Sequence, residues 1–315
     1  MAGVWVFSEQ RSTLLELVGE GRKLADRLGV GLTALVPGGR FDAVDAIAFG
    51  ADEAIVLTLP EGQPLETAAE AVARLVGELD PDLILWGATL RAKGLAARVA
   101  ARLGAALVTD ATALRVQPDG RIETDRMVYG GGGVATQVAL TRPQMIAVPP
   151  RTFAEPAVNP RIGDVREVVV PADSRVKVTE RRPKSNQGAD IAAAGVVVGV
   201  GRGLAAAEDL ALVEALAATL GGAVGCTRPV AEDLGWLPED RYIGISGRKV
   251  APKVYVAVGL SGQVQHLAGM RESKVVVAIN KDENAPIFAN ADYGLVGDLY
   301  TVLPALTDEL KKLMR

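Results

Sequence analysis

Along the first half of the chain, short apolar runs alternate with longer segments in which apolar residues recur three or four positions apart. Val4–Ser8 reads as a strand, and from Ser12 onward Leu14, Leu15, Leu17, Val18, Leu24 and Leu28 fall at helical spacing until Gly29. The same alternation predicts a strand at Leu32–Val36, a short helix around Ala43–Phe49 and a strand at Glu53–Leu57. A helix over Pro64–Leu79, a strand at Asp82–Trp86, a helix over Leu95–Leu103 and a strand at Leu107–Ala113 follow. Apolar strands separated by helices of this length imply parallel βαβ units with right-handed crossovers, so a doubly wound α/β domain is expected.

From Leu114 the rhythm changes. Pro118-Asp119-Gly120 is a hairpin signal, Tyr129 leads into Gly130–Gly133, Val134–Leu140 alternates, and Met145–Val148 is apolar. These segments are expected to add antiparallel strands to the sheet. The glycine run has no following lysine in a Walker pattern, which leaves a turn near an interface as its simpler reading. The polar, breaker-rich stretch Arg181–Gly188 predicts a boundary: one domain over residues 1–182, a linker at 183–190, and a second domain over 191–315. The second domain opens on the apolar strand Ala194–Val200 and again alternates strand and helix. The expected fold class is therefore α/β, with two doubly wound parallel-sheet domains, the first with added antiparallel strands and the second Rossmann-like.

Composition narrows the function. Over 315 residues the chain is 49% hydrophobic and 23% charged, which describes compact globular domains with ample core. A net charge of −4, without a basic stripe, argues against a nucleic-acid partner. One cysteine, Cys226, and one histidine, His266, cannot supply a disulfide, an iron–sulfur cluster or a zinc site. The first residues carry neither a basic leader nor the apolar core of a signal segment. No apolar run approaches the roughly 20 residues that span a bilayer. A soluble protein of a reducing compartment, the cytoplasm, is expected.

The candidate chemistry gathers at turns of the second domain. Gly199-Val200-Gly201-Arg202-Gly203-Leu204 resembles a dinucleotide fingerprint, yet its third glycine would fall at Leu204 and no acidic residue closes the next strand, Ala223–Arg228. A ribose-binding NAD site of the usual type is thus disfavoured. The turns Ile243–Gly247 and Gly259–Gly262, the strand end at Asn280 and the segment reaching Asp298 each deliver polar groups where open α/β sheets bind ligands. His266 follows the second of these turns and, from that segment alone, is equally an inert corner residue or part of an anion site. Taken together, five such strand ends favour one elongated ligand with a diphosphate. No G-x-S-x-G or H-E-x-x-H motif is present.

The succession GRGL, GCTRP, RYIGISG, VYVAVGLSGQVQHLAGM and VVVAINKDENAPIFANADYGLVGDL resembles the alpha subunit of electron transfer flavoproteins, continuously from Val197 to Lys312. Gly87-Ala88-Thr89 with Arg98, and Gly130–Gly133 through Thr141–Met145, are more loosely similar to that family's N-terminal domain. The resemblance implies FAD as cofactor and a beta subunit as partner in a heterodimer. It implies Arg202 along the FAD near its diphosphate, Thr227 and Arg228 by the isoalloxazine ring, and Ser246, with Gly247 in its turn, at the N5 region. Ser261 and Gln265 would contact diphosphate and ribityl, His266 the pyrimidine end, and Asn280 and Asp298 the adenosine half. Ile245 stands where the family often has glutamine. Electrons would come from dehydrogenases of fatty acid beta-oxidation, or from NADH in bifurcating members, and leave to a quinone oxidoreductase or other acceptor. Two alternatives stand beside this reading: a non-redox adenine-nucleotide-binding regulatory module, and a flavin-independent NAD enzyme.

Overall fold

The computed structural model describes residues 3–158, 161–173, 175–176, 178–180 and 190–313. The chain divides into two compact units, residues 1–182 and 183–315. Of the linker expected at 183–190, all but Asp190 lies outside the described residues.

In the first unit the elements run β1 (Val4–Phe7), α1 (Arg11–Leu28), β2 (Leu32–Val36), α2 (Arg40–Ala48), β3 (Glu53–Thr58), α3 (Ala69–Leu79), β4 (Leu83–Gly87) and α4 (Leu90–Leu103). Then come β5 (Leu107–Val108), β6 (Ala111–Val116), β7 (Ile122–Val128), β8 (Gly133–Val138), β9 (Gln144–Val148) and β10 (Asp164–Val169). Seven strands form one parallel sheet in the order β10-β3-β2-β1-β4-β9-β5. Their side chains alternate between two cores. Trp5, Phe7, Ile84 and Trp86 face α3 and α4, while Val4, Val6, Leu83 and Leu85 face α1 and α2. A strand buried on both faces must be apolar throughout, which is why these runs carry no polar alternation.

The antiparallel strands differ from expectation in their attachment. β6, β7 and β8 form a separate three-stranded sheet that seats Ala111 and Ile122 on the core beneath α1 and α2. The segment Leu107–Ala113 accordingly splits at Asp110, whose φ of 56° turns the chain from one sheet into the other. The apolar run Met145–Val148, expected as antiparallel, returns as β9 and inserts parallel between β4 and β5. All five of its residues are buried, the environment of an interior parallel strand rather than of a hairpin.

The second unit runs β11 (Val196–Val200), α5 (Leu210–Thr219), β12 (Ala223–Cys226), β13 (Val254–Val258), α6 (Val264–Met270), β14 (Val275–Asn280), β15 (Tyr293–Val296) and α7 (Leu299–Leu313). Its sheet is fully parallel in the order β12-β11-β13-β14-β15. The chain steps outward from β11 to β12 and then crosses back to β13, so the topological switch lies between β11 and β13. Val198, Val200, Val256, Val258 and Ile279 face α5 and α7. Val197, Tyr255, Ala257, Val276 and Ala278 face the layer that includes α6.

Candidate functional site

All ten residues singled out in the sequence lie at the carboxyl edge of this second sheet or in segments joined to it. Arg202 follows β11, Thr227 and Arg228 follow β12, Ser261 to His266 follow β13, Asn280 ends β14, and Asp298 follows β15. The loop bearing Ser246 and Gly247 is drawn to the same edge by a bridge between Cys226 and Tyr242 and by the Ile243 amide donating to the Cys226 carbonyl at 2.9 Å. It is tied to α6 by the Ile245 amide donating to the Gln265 carbonyl, also at 2.9 Å.

The glycines at this edge let main chain approach main chain. A Cβ built on Gly201 would stand 2.5 Å from the Gly259 carbonyl oxygen, and one on Gly203 2.6 Å from Gly259 Cα. The amides of Gly201 and Gly203 donate to the Val258 and Gly259 carbonyls, both at 2.9 Å. The two turns at the switch point are thus stitched together directly. Gly269 of α6 meets Gly244 in the same way, its Cβ position 2.4 Å from the Gly244 nitrogen. Where a third fingerprint glycine would stand, Leu204 is buried in the core under α5 and α7. Without side chains, these glycines admit the opposing backbone.

The polar groups fall into two sets. The exposed side chains of Arg202, Ser261 and Gln265 make no hydrogen bond or ion pair among the described residues, and the amides of Ser261 and Gly262 likewise donate to nothing there. Among the described residues the remaining groups are engaged, Thr227 through its backbone only. Asn280 donates to the Leu260 carbonyl at 3.0 Å and accepts from the Asp282 amide at 3.1 Å. Asp298 accepts from the Tyr300 amide at 2.9 Å at the start of α7. Arg228 pairs with Glu232 at 2.7 Å, and that hydrogen bond raises the pKa of its exposed guanidinium. Ser246 shares a 2.9 Å hydrogen bond with the Tyr242 hydroxyl. Thr227 anchors its turn through its amide, which donates to the Val200 carbonyl at 2.9 Å.

His266 is buried, 6% exposed, with Nε2 2.7 Å from the Tyr255 hydroxyl and, among the described residues, no hydrogen-bond partner at Nδ1. Burial pushes its pKa down to about 4, only partly offset by the Ile243 backbone. The imidazole is therefore neutral near pH 7, and any influence on a ligand is that of a dipole, with no cationic charge. Burial also pushes the Tyr255 hydroxyl pKa up and the Cys226 thiol up to about 12, so neither ionises there.

Three supporting groups were invisible in the sequence. Tyr255 reads as an ordinary strand residue, but its hydroxyl reaches over Gly199, whose Cβ position it occupies. Tyr242 lies behind Ser246. Tyr300 accepts from the Ala205 amide at 2.8 Å and donates to Asp209 at 2.5 Å, holding the chain that follows Arg202. The Tyr255 and Tyr300 contacts join residues from different elements, 11 and more than 90 positions apart, while Tyr242 and Ser246 meet within one loop whose closure brings residues four apart together.

This chain matches the family models described as "Electron transfer flavoprotein domain" over residues 4–173 and "Electron transfer flavoprotein FAD-binding domain" over residues 190–271. The chain belongs to the electron transfer flavoprotein alpha-subunit family. It is 37% identical to the electron transfer flavoprotein subunit alpha of Thermoanaerobacterium thermosaccharolyticum, with 98% of each chain covered. It is 39% identical to Protein FixB of Clostridium saccharobutylicum, covering 99% of this chain and 97% of that one. It is 40% identical to Protein FixB of Rhizobium meliloti, covering 98% and 93%. FAD is the cofactor of this family's domain, and the donor set at the sheet edge suits it. An arginine, two free amides and uncommitted hydroxyl and amide side chains can receive a diphosphate and a polyol chain. Among the described residues no group of His, Cys, Asp and Glu could hold a metal ion, and no helix is long and apolar enough to cross a membrane.

Proposed function

We propose that this chain carries FAD along the carboxyl edge of its 191–315 domain and, paired with an electron transfer flavoprotein beta subunit, relays electrons between other proteins. The reading rests on one observation above all. At a single sheet edge, Arg202, Ser261 and Gln265 present side chains with no partner among the described residues, alongside two free amides. Arg202 would lie along the diphosphate, where its planar group can donate in pairs. Ser261 and Gln265 would serve the diphosphate and ribityl chain. Asn280 and Asp298 would border the adenosine half while their present hydrogen bonds keep the turns after β14 and β15 in shape.

Thr227, Arg228, Ser246, Gly247 and His266 would surround the isoalloxazine ring. Bound FAD supplies reversible one- and two-electron chemistry. The residues bind, orient and tune. Arg228 would bring a fixed positive charge that favours negative charge developing on the ring. Ser246 would offer a hydroxyl at N5, and neutral His266 would contribute a dipole at the pyrimidine end. Ile245 contributes no side-chain hydrogen bond where the family often has glutamine.

The electron donors in this reading are dehydrogenases of fatty acid beta-oxidation or, in a bifurcating complex, NADH. The acceptor is a quinone oxidoreductase or another redox protein, with the relay working in the cytoplasm. The test is to co-purify the chain with its beta subunit and record absorbance. Flavin bands that bleach with a reduced dehydrogenase are the expected result; a folded, colourless heterodimer that FAD does not reconstitute overturns the reading in favour of a non-redox nucleotide module. One flavin per heterodimer without reduction by NADH indicates the dehydrogenase-linked form, and two flavins with NADH reduction the bifurcating one.

A further inference from the structure

We propose that Tyr242 is a positioning residue that fixes the direction of the Ser246 hydroxyl, so that this serine meets the flavin ring as a hydrogen-bond donor. The inference rests on the ring-side position of Ser246 proposed above. Tyr242 is buried, 7% exposed, whereas Ser246 is exposed, and their hydroxyls lie 2.9 Å apart. The serine oxygen therefore has one fixed neighbour on the protein side and an open side for a ligand.

The loop is built around the tyrosine ring. A Cβ on Gly244 would come 2.9 Å from Tyr242 Cε2, and one on Gly247 2.8 Å from Cδ1 and 2.9 Å from Cε1. Arg248 donates its amide to the Tyr242 carbonyl at 2.7 Å and Gly247 to the Gly244 carbonyl at 3.2 Å, closing the turn that carries Ser246. With both flanks glycine and the turn closed, the phenol oxygen has little freedom to leave the serine.

Either oxygen could in principle donate, and donor strength decides between them. A phenol O–H is the stronger hydrogen-bond donor and an alkyl hydroxyl oxygen the better acceptor, so the tyrosine proton is the one shared across the 2.9 Å contact. The serine oxygen then accepts from Tyr242, and the serine proton is left for the open side. N5 of an oxidised isoalloxazine is a lone-pair acceptor; after uptake of two electrons and a proton it carries N–H. A serine held as a donor favours the acceptor form and keeps the potential low. One freed from Tyr242 can also rotate and accept from N–H.

The test is a double-mutant cycle in the FAD-loaded heterodimer, using Tyr242→Phe, Ser246→Ala and both together, read by redox titration of the flavin and by the FAD dissociation constant. Phenylalanine keeps the ring that fills the loop. Both single variants are expected to shift the midpoint potential upward, and Ser246→Ala to weaken FAD binding about two- to tenfold, the equivalent of one hydrogen bond. In the Ser246→Ala background the Tyr242→Phe shift is expected to vanish, because the tyrosine acts through the serine. Ser246→Thr retains a hydroxyl and is expected to keep the wild-type potential, which gives a readout that does not depend on Tyr242→Phe folding. An equal Tyr242→Phe shift in both backgrounds makes the tyrosine a packing residue and overturns the proposal. So does a silent Tyr242→Phe beside an active Ser246→Ala, with the ring-side position of Ser246 left standing. A Ser246→Ala variant with unchanged potential and affinity removes Ser246 from the ring and the proposal with it.

Discussion

At the scale of single residues, His266 is the most informative group. Its environment is apolar apart from Tyr255 and the Ile243 backbone, and no charged side chain contributes to its pKa. The folded value of about 4 lies below the 6.5 of an unperturbed imidazole, so the unfolded chain binds the extra proton first as pH falls. Stability from this site is fully present above pH 6.5 and is lost as pH drops towards 4, by about 3 kcal/mol in all. Denaturant titrations of the full chain and of His266→Gln at pH 7.5 and 4.5 are expected to differ by most of that amount in acid sensitivity, the wild type being the steeper. Because the chain has a single histidine, its ring resonances also report the pKa directly. The presence of His266 after a glycine turn is legible in the sequence, but its burial is not, since that depends on Tyr255 reaching across from β13.

At the scale of elements, the two turns after β11 and β13 behave as one piece. Gly203→Ala is expected to destabilise the chain by about 1–3 kcal/mol, because the new Cβ meets Gly259 backbone at 2.6 Å and neither turn can yield alone. Gly195→Ala serves as the control: nothing lies within 4 Å of its Cβ position, and its thermal midpoint should stay near wild type. FAD affinity should fall with Gly203→Ala as well, since Arg202 and Ser261 are carried by the displaced turns. Most elements were readable from periodicity, and the end of α1 from Gly29, at φ 68°. The start of α4 was not: the helix expected from Leu95 begins at Leu90, where Thr89 accepts from the Ala92 amide at 3.1 Å. The direction of β9 was not readable, because an apolar run looks the same whether its neighbours run parallel or antiparallel.

For the molecule as a whole, the consequence of placing every candidate group at one sheet edge is a localised response to cofactor. Hydrogen exchange of the full chain with and without FAD is expected to slow in the turns at residues 201–204, 226–228, 244–247 and 259–265. The interior strands of the first unit, already buried on both faces, should change little. Protection confined to the first unit would contradict the site.

What the sequence determined by itself is the set of local preferences. Periodicity specified two α/β units, composition left no metal cluster or disulfide, the polar strand ends indicated one elongated ligand with a diphosphate, and the resemblance of the motif succession to electron transfer flavoproteins implied FAD. Strand polarity and burial follow from chain segments within reach of themselves, so they survive as patterns along one dimension. Only the tertiary structure decided what each polar group faces. It assigned the glycines to backbone contact, left Arg202, Ser261 and Gln265 without partners among the described residues, and set Tyr255 and Tyr242 behind His266 and Ser246. Hydrogen-bond partners and proton affinities are fixed by groups brought together from distant positions, and that information exists only once the chain has folded.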